Sequence, residues 1–213
     1  MKKNYFLKTI TDYINCSKLL FVFVFFCLVS GTVIGSLSAI SMGSEKYESL
    51  GTYMNNFLST YSIQTVNRGE VFKFSLYNNI KIALFIWVSG MWIGLLPLGP
   101  LQVAAKGYKL GFTTVFLIQL YRGKGIIFIL ISLLPQIMIL FPAIITYTVF
   151  NINHAFSLYR FKKRGESLAL RKEMYLKNFL FLLGIIVVLI LCSFIDAFVV
   201  PPVLKPICSF LSR

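Results

Sequence analysis

Apolar residues along this chain gather into runs longer than the roughly 18 positions that mark a membrane-spanning helix, divided by short polar segments. The first run, "LLFVFVFFCLVSGTVIGSLSAISM", covers residues 19–42. Its basic lead-in resembles that of a secretory signal, but the run exceeds the roughly 7–15 residues of a signal core and reads as an uncleaved span. Residues 43–78 are the most polar stretch. Within it Tyr47, Leu50, Met54, Phe57 and Tyr61 recur at helical spacing on one face. Such a face either lies on the membrane or the protein's own spans, or docks a partner. Asn67 followed by Glu70 has the spacing of a capping box and predicts a helix start feeding the second span.

The second span is expected at about 79–98, ending at "LPLGP", where Pro97, Gly99 and Pro100 stop a helix. The third follows at about 101–121 and the fourth, after "RGKG", at about 125–150. A basic segment, 151–177, leads to the fifth span at about 178–200, which "PP" closes. The predicted fold is therefore all-α: one polytopic integral membrane bundle of five transmembrane helices. Its fourth span is broken, because "SLLPQIMILFPA" places Pro135 and Pro142 seven residues apart with Gln136 beside the first. Proline removes a backbone donor and crowds the preceding turn. Broken spans are tolerated where the freed backbone groups face protein or water.

Composition agrees: 57% of residues are hydrophobic and 13% charged, against roughly a quarter charged in soluble domains. The formal charge of +14 fits retention of Lys and Arg on the cytoplasmic side better than nucleic-acid binding. With the N-terminus inside, thirteen basic residues fall on cytoplasmic segments and eight on outer ones. The expected topology is multi-pass, with a cytoplasmic N-terminus, 43–78 and the C-terminus outside, and 151–177 inside. Cys16, Cys27, Cys192 and Cys208 lack metal or redox spacing, and His154 is the single histidine, so neither a metal site nor a cofactor is expected.

Few polar residues in the spans invite a functional reading. Asp196 lies near the end of the fifth span and is expected either in wet headgroups or paired with Lys124, Arg122 or Lys81. Lys106 and Lys109 are expected on opposite sides of the third span, snorkelling to the cytoplasm. Gly31 with Gly35, and Gly107 with Gly111, form small-xxx-small pairs that admit a close neighbour. No nucleophile, paired acid or phosphate loop stands out, so no catalytic residue is assigned and a non-enzymatic protein is expected. Self-association into a homo-oligomer is compatible with these spans.

In order, "FSLYNNIKIALFIWVSG", "KGYKLGFTTVF", "GKGIIFILISLLPQIMILFPA" and "IDAFVVPP" resemble the stage II sporulation protein M family, over about residues 70–204. Asn79, Trp87 and Gly90 match the family's second span; Lys106, Gly107, Gly111, Phe112 and Thr113 its third. Pro135 and Pro142 match its paired prolines, and Asp196, Ala197, Phe198 and Pro201 its last motif. Wider relatives read Pro-His-Gly-x-x-Glu-x-Pro-Ala across the fourth span. Here Gln136, Ile137 and Leu140 replace the His, Gly and Glu, as in the sporulation branch. The resemblance implies a membrane scaffold for engulfment during endospore formation, in the mother-cell membrane at the septum. Its partners would be the cell-wall-degrading sporulation proteins P and D, besides membrane lipid. A transporter or permease-like subunit is the alternative, since broken spans and inner lysines also occur there.

Overall fold

A computed structural model describes the backbone of residues 2–63, 67–163 and 168–211, with side chains described over 17–61, 67–133, 137–163 and 172–205. All regular elements among these residues are helical. In chain order they are α1 (Lys2–Ile40), α2 (Ser44–Ile63), α3 (Arg68–Ser89), α4 (Leu98–Tyr121), α5 (Gly123–Pro135), α6 (Phe141–Lys163), α7 (Leu168–Phe198) and α8 (Val200–Leu211). A 3₁₀ turn at Ile93–Leu95 precedes α4, and a π-turn at Gln136–Leu140 joins α5 to α6.

Burial runs opposite to that of a soluble protein. Phe25, Phe26, Val29, Ile34 and Leu37 of α1 are exposed, as are Leu183, Val187 and Leu191 of α7, whereas Asn79, Asn151, His154, Asn178, Ser193 and Asp196 are buried. Polar groups turned inward and large apolar groups turned outward suit a hydrocarbon solvent. Among the described residues, four stretches are long and apolar enough to cross a membrane: Ser17–Ile40, Arg68–Ser89, Ile137–Lys163 and Lys172–Lys205. Helix α4 has 24 residues, about 36 Å at 1.5 Å per residue, and lies along α1.

Small residues decide how α1 and α4 meet. The two run parallel, and the space a Cβ would take at Gly31 and Gly35 is filled by the carbonyls of Ala104 and Tyr108. In return, Gly107 and Gly111 leave room for the carbonyls of Leu28 and Thr32. Both small-xxx-small pairs read from the sequence therefore belong to one interface, in which backbone rests on backbone. Helices α3 and α6 run the other way, and α7 runs with α1, so the five long helices alternate in direction along the chain.

The winding between the prolines has a direct cause. Pro142 has no N–H for the Met138 carbonyl, and its ring crowds that turn, so the chain widens into π winding over 136–140. This turn packs against α7, and its Leu140 is buried in the central core with Ile82, Ile86, Val103 and Leu189. Pro142 itself is exposed, and the side chains of Pro135 and Gln136 lie outside the described residues. A second core at the other end joins α2, α4, α5 and α8 through Leu58, Phe116, Phe128 and Leu204.

Several expectations about helix ends need correction. Helix α3 stops at Ser89, so the range 79–98 spans a helix end, a turn and the start of α4; Gly99 and Pro100 lie in the first turn of α4. The predicted start is as read: Asn67 caps α3, accepting from the Gly69 N–H, and its amide donates to Glu70 at 3.1 Å. Residues 151–177 are largely helical, because α6 continues to Lys163 and α7 begins at Leu168. Pro201 and Pro202 open α8 as well as following α7, since the first turn of a helix needs no donor from them.

Two substitutions test this packing. Gly107→Leu meets backbone, and should lower stability by more than the about 1–3 kcal/mol of ordinary overpacking. Gly184→Leu, which meets nothing within 4 Å, should leave melting in detergent unchanged; equal melting of both variants would refute the α1–α4 seat. At the α4–α5 turn, Arg122 holds φ 51 and ψ −131, a region that suits glycine. Arg122→Gly should stabilise by about 1 kcal/mol, read as a higher melting temperature; no rise would show that the turn carries no strain.

Candidate functional site

Antiparallel packing of α3 and α7 brings four polar side chains together. Ser75 donates to Asp196 Oδ2 at 2.8 Å, and Asn79 Nδ2 donates to Ser193 Oγ at 3.2 Å. Ser75 Oγ and Ser193 Oγ are 3.3 Å apart, which closes the cluster. Asn79 and Asp196 are 4% and 9% exposed, so each hydrogen bond forms away from water. Asn79 and Asp196 carried a sequence signal, whereas Ser75 and Ser193 were missed. The four-residue step from Ser75 to Asn79 puts both on one helical face and was the available clue.

This cluster borders a cavity of about 560 Å³, within the range of small-molecule sites. Lys106, Lys109 and Thr113 of α4 form the facing wall, Ser132 and Leu133 of α5 another, and Pro201 and Leu204 of α8 close one side. The two lysines share this cavity, contrary to the expectation of opposite sides. A three-residue step turns a helix by about 300°, which leaves the pair on one face. Gly107 and Gly111 occupy the opposite face, against α1. Lys106 is within electrostatic reach of both Lys109 and Asp196.

The remaining predicted residues lie elsewhere. Phe112 stacks between Tyr108 and Phe116, and Trp87 packs against the central core. Gly90 ends α3, where a Cβ would overlap the side chain of Asn151. Beside it sits a second polar group that sequence reading missed: His154 Nδ1 lies 3.0 Å from the Gly90 carbonyl, and Nε2 3.1 Å from that of Met174. Asn178 Nδ2 lies 3.0 Å from the same Nδ1. His154 was expected in the basic segment 151–177 beyond the fourth span, and nothing in that position hinted that α6 would carry it on to tie the end of α3 to the start of α7.

The face proposed from Tyr47 to Tyr61 divides. Tyr47 meets Phe116 edge-on with centroids 5.7 Å apart, and Met54 and Tyr61 pack on the same second core. Those three face inward because α2 lies on α8 and the end of α4, where Tyr121 donates to Asn55 at 2.6 Å. Leu50 and Phe57 remain exposed, together with Tyr53. Among the described residues no group of three or more His, Cys, Asp or Glu could hold a metal. Ammonium, amide and hydroxyl groups thus surround an apolar-walled space.

Comparison with known families decides the affiliation. A family described as Stage II sporulation protein M matches residues 22–201, which take in the second half of α1, all of α2 to α7 and most of the cavity. The chain belongs to the stage II sporulation protein M family. Membership makes it a membrane protein of sporulation. No curated protein and no solved structure matches it. The Ser75–Asp196 bond should show as coupling: in a cycle of Ser75→Ala and Asp196→Asn, about 0.6–1.7 kcal/mol of unfolding free energy should be non-additive. Strict additivity would show that the bond contributes nothing.

Proposed function

We propose that this chain is a non-enzymatic membrane platform for engulfment during endospore formation. It sits in the mother-cell membrane at the septum, with its N-terminus in the cytoplasm and the α2 end outside. There it holds the cell-wall-degrading sporulation proteins P and D. The observation that carries this reading is the family match over residues 22–201. Two features support it: α2, α5 and α8 gather at one end, and α2 leaves Leu50 and Tyr53 uncovered there. With Lys106 and Lys109 left out, because they line the cavity, eleven basic residues against eight still fall on the cytoplasmic segments, which supports the orientation.

The cavity favours a second reading, a transporter or permease-like subunit, since polar groups of α3, α4 and α7 reach it from within the spans. Affinity purification from membranes of sporulating cells separates the two. Proteins P and D should be recovered with the tagged chain, and Leu50→Glu with Tyr53→Glu should reduce recovery of P about tenfold, equivalent to about 1.4 kcal/mol of binding. Undiminished recovery with the stable variant would remove α2 from the docking surface. Recovery of an ATPase or other transport component, without P and D, would replace the platform by the transporter.

A further inference from the structure

Contact with α1 through Gly107 and Gly111 fixes which face of α4 looks away, and that face carries Lys106 and Lys109. A smaller cavity of about 280 Å³ shares Asn78, Lys106 and Lys109 with the larger one and adds Lys81 of α3 and Gln102 of α4. Three ammonium groups and the carboxamides of Asn78, Asn79 and Gln102, all from two helices, thus line two adjoining spaces. Among the described residues these walls carry three lysines, of which Lys106 lies within electrostatic reach of Asp196. The one acid on the wall, Asp196, accepts a hydrogen bond from Ser75 and is outnumbered by the lysines. Cations placed within apolar helices in excess of the acids beside them are costly unless an anion joins them. Around them the larger cavity is walled by Phe74, Phe141 and Leu204, which no small hydrophilic anion would use.

We propose that the space between α3 and α4 binds the phosphate of an anionic membrane lipid. Lys81, Lys106 and Lys109 supply the counter-charge, Asn78 and Gln102 donate hydrogen bonds, and the aromatic walls take the acyl chains. Basic pockets between transmembrane helices recognise phosphate headgroups by this combination. The lipid need not be transported, and its binding is independent of proteins P and D.

The test uses the purified full-length protein in detergent. Phosphatidylglycerol, phosphatidylcholine and inorganic phosphate are added separately, with bound lipid read by native mass spectrometry and stability by thermal melting. Phosphatidylglycerol should be retained and should raise the melting temperature, while phosphatidylcholine and inorganic phosphate should do neither. Lys106→Gln with Lys109→Gln should lower retention about tenfold or more. Lys73→Gln with Lys172→Gln, two exposed positions outside the cavity, should keep it. Equal retention of phosphatidylcholine, an equal shift with inorganic phosphate, or equal loss in both double variants would each overturn the assignment. So would wild-type retention by the cavity variant. If that variant does not accumulate, the wild-type preference among the three additions decides alone.

Discussion

Lipid offers helices no hydrophobic reason to prefer one another over the solvent, so close backbone contact must hold them. In this protein that constraint is met between α1 and α4, where four glycines receive four carbonyls of the facing helix. The contact is short-range and admits no Cβ on either side, so it sets both the separation and the rotation of the pair. Everything α4 presents elsewhere follows from it. The lysines look toward α3, Phe116 and Leu117 meet α5 and α2, and Val103 enters the central core.

A second set of contacts holds α3 against α7 and α6 by polar means. At one end of α3 the Ser75–Asn79–Ser193–Asp196 cluster ties it to α7, and at the other Gly90 adjoins Asn151 and His154. Between these fixed ends Ile82, Ala83 and Ile86 complete the apolar core. The protein is thus built from one pair joined by backbone and another joined by side-chain hydrogen bonds. The cavity is the gap left where α3 and α4, each bound to a different neighbour, draw apart.

Much of this was legible where a residue type has one dominant use. Glycines four apart announced close helix contact, Asn67 and Glu70 announced a helix start, and the two prolines announced a break. The partner of each glycine pair was not legible, because spacing names a face without naming what covers it. Ser75 was missed because it fell in the segment 43–78 read as lying before the second span, and Ser193 because serine within a span is common and gains meaning only opposite another polar group. Helix α8 was missed for a different reason: Pro201 and Pro202 can close one helix or open the next, and the sequence reads alike in both cases. The family resemblance was carried by motif order, and the match over residues 22–201 agrees with it.

The π-turn also fixes the length of the chain between α5 and α6. Each residue of an α-helix turns it by about 100°, and a π-turn accommodates one residue beyond regular winding. Deleting a single residue from 136–140 would restore regular winding and leave α5 close to its present rotation, whereas inserting one more would rotate α5 about its axis by roughly that angle relative to α6. Phe128 and Ile129, now in the second core, would swing toward lipid, and Ile126 and Ile127 would replace part of their surface. Substitutions can be absorbed at many positions in this segment, but its residue count cannot grow without re-registering the whole α2–α5–α8 end. Length, more than composition, is the quantity that selection would have to guard here.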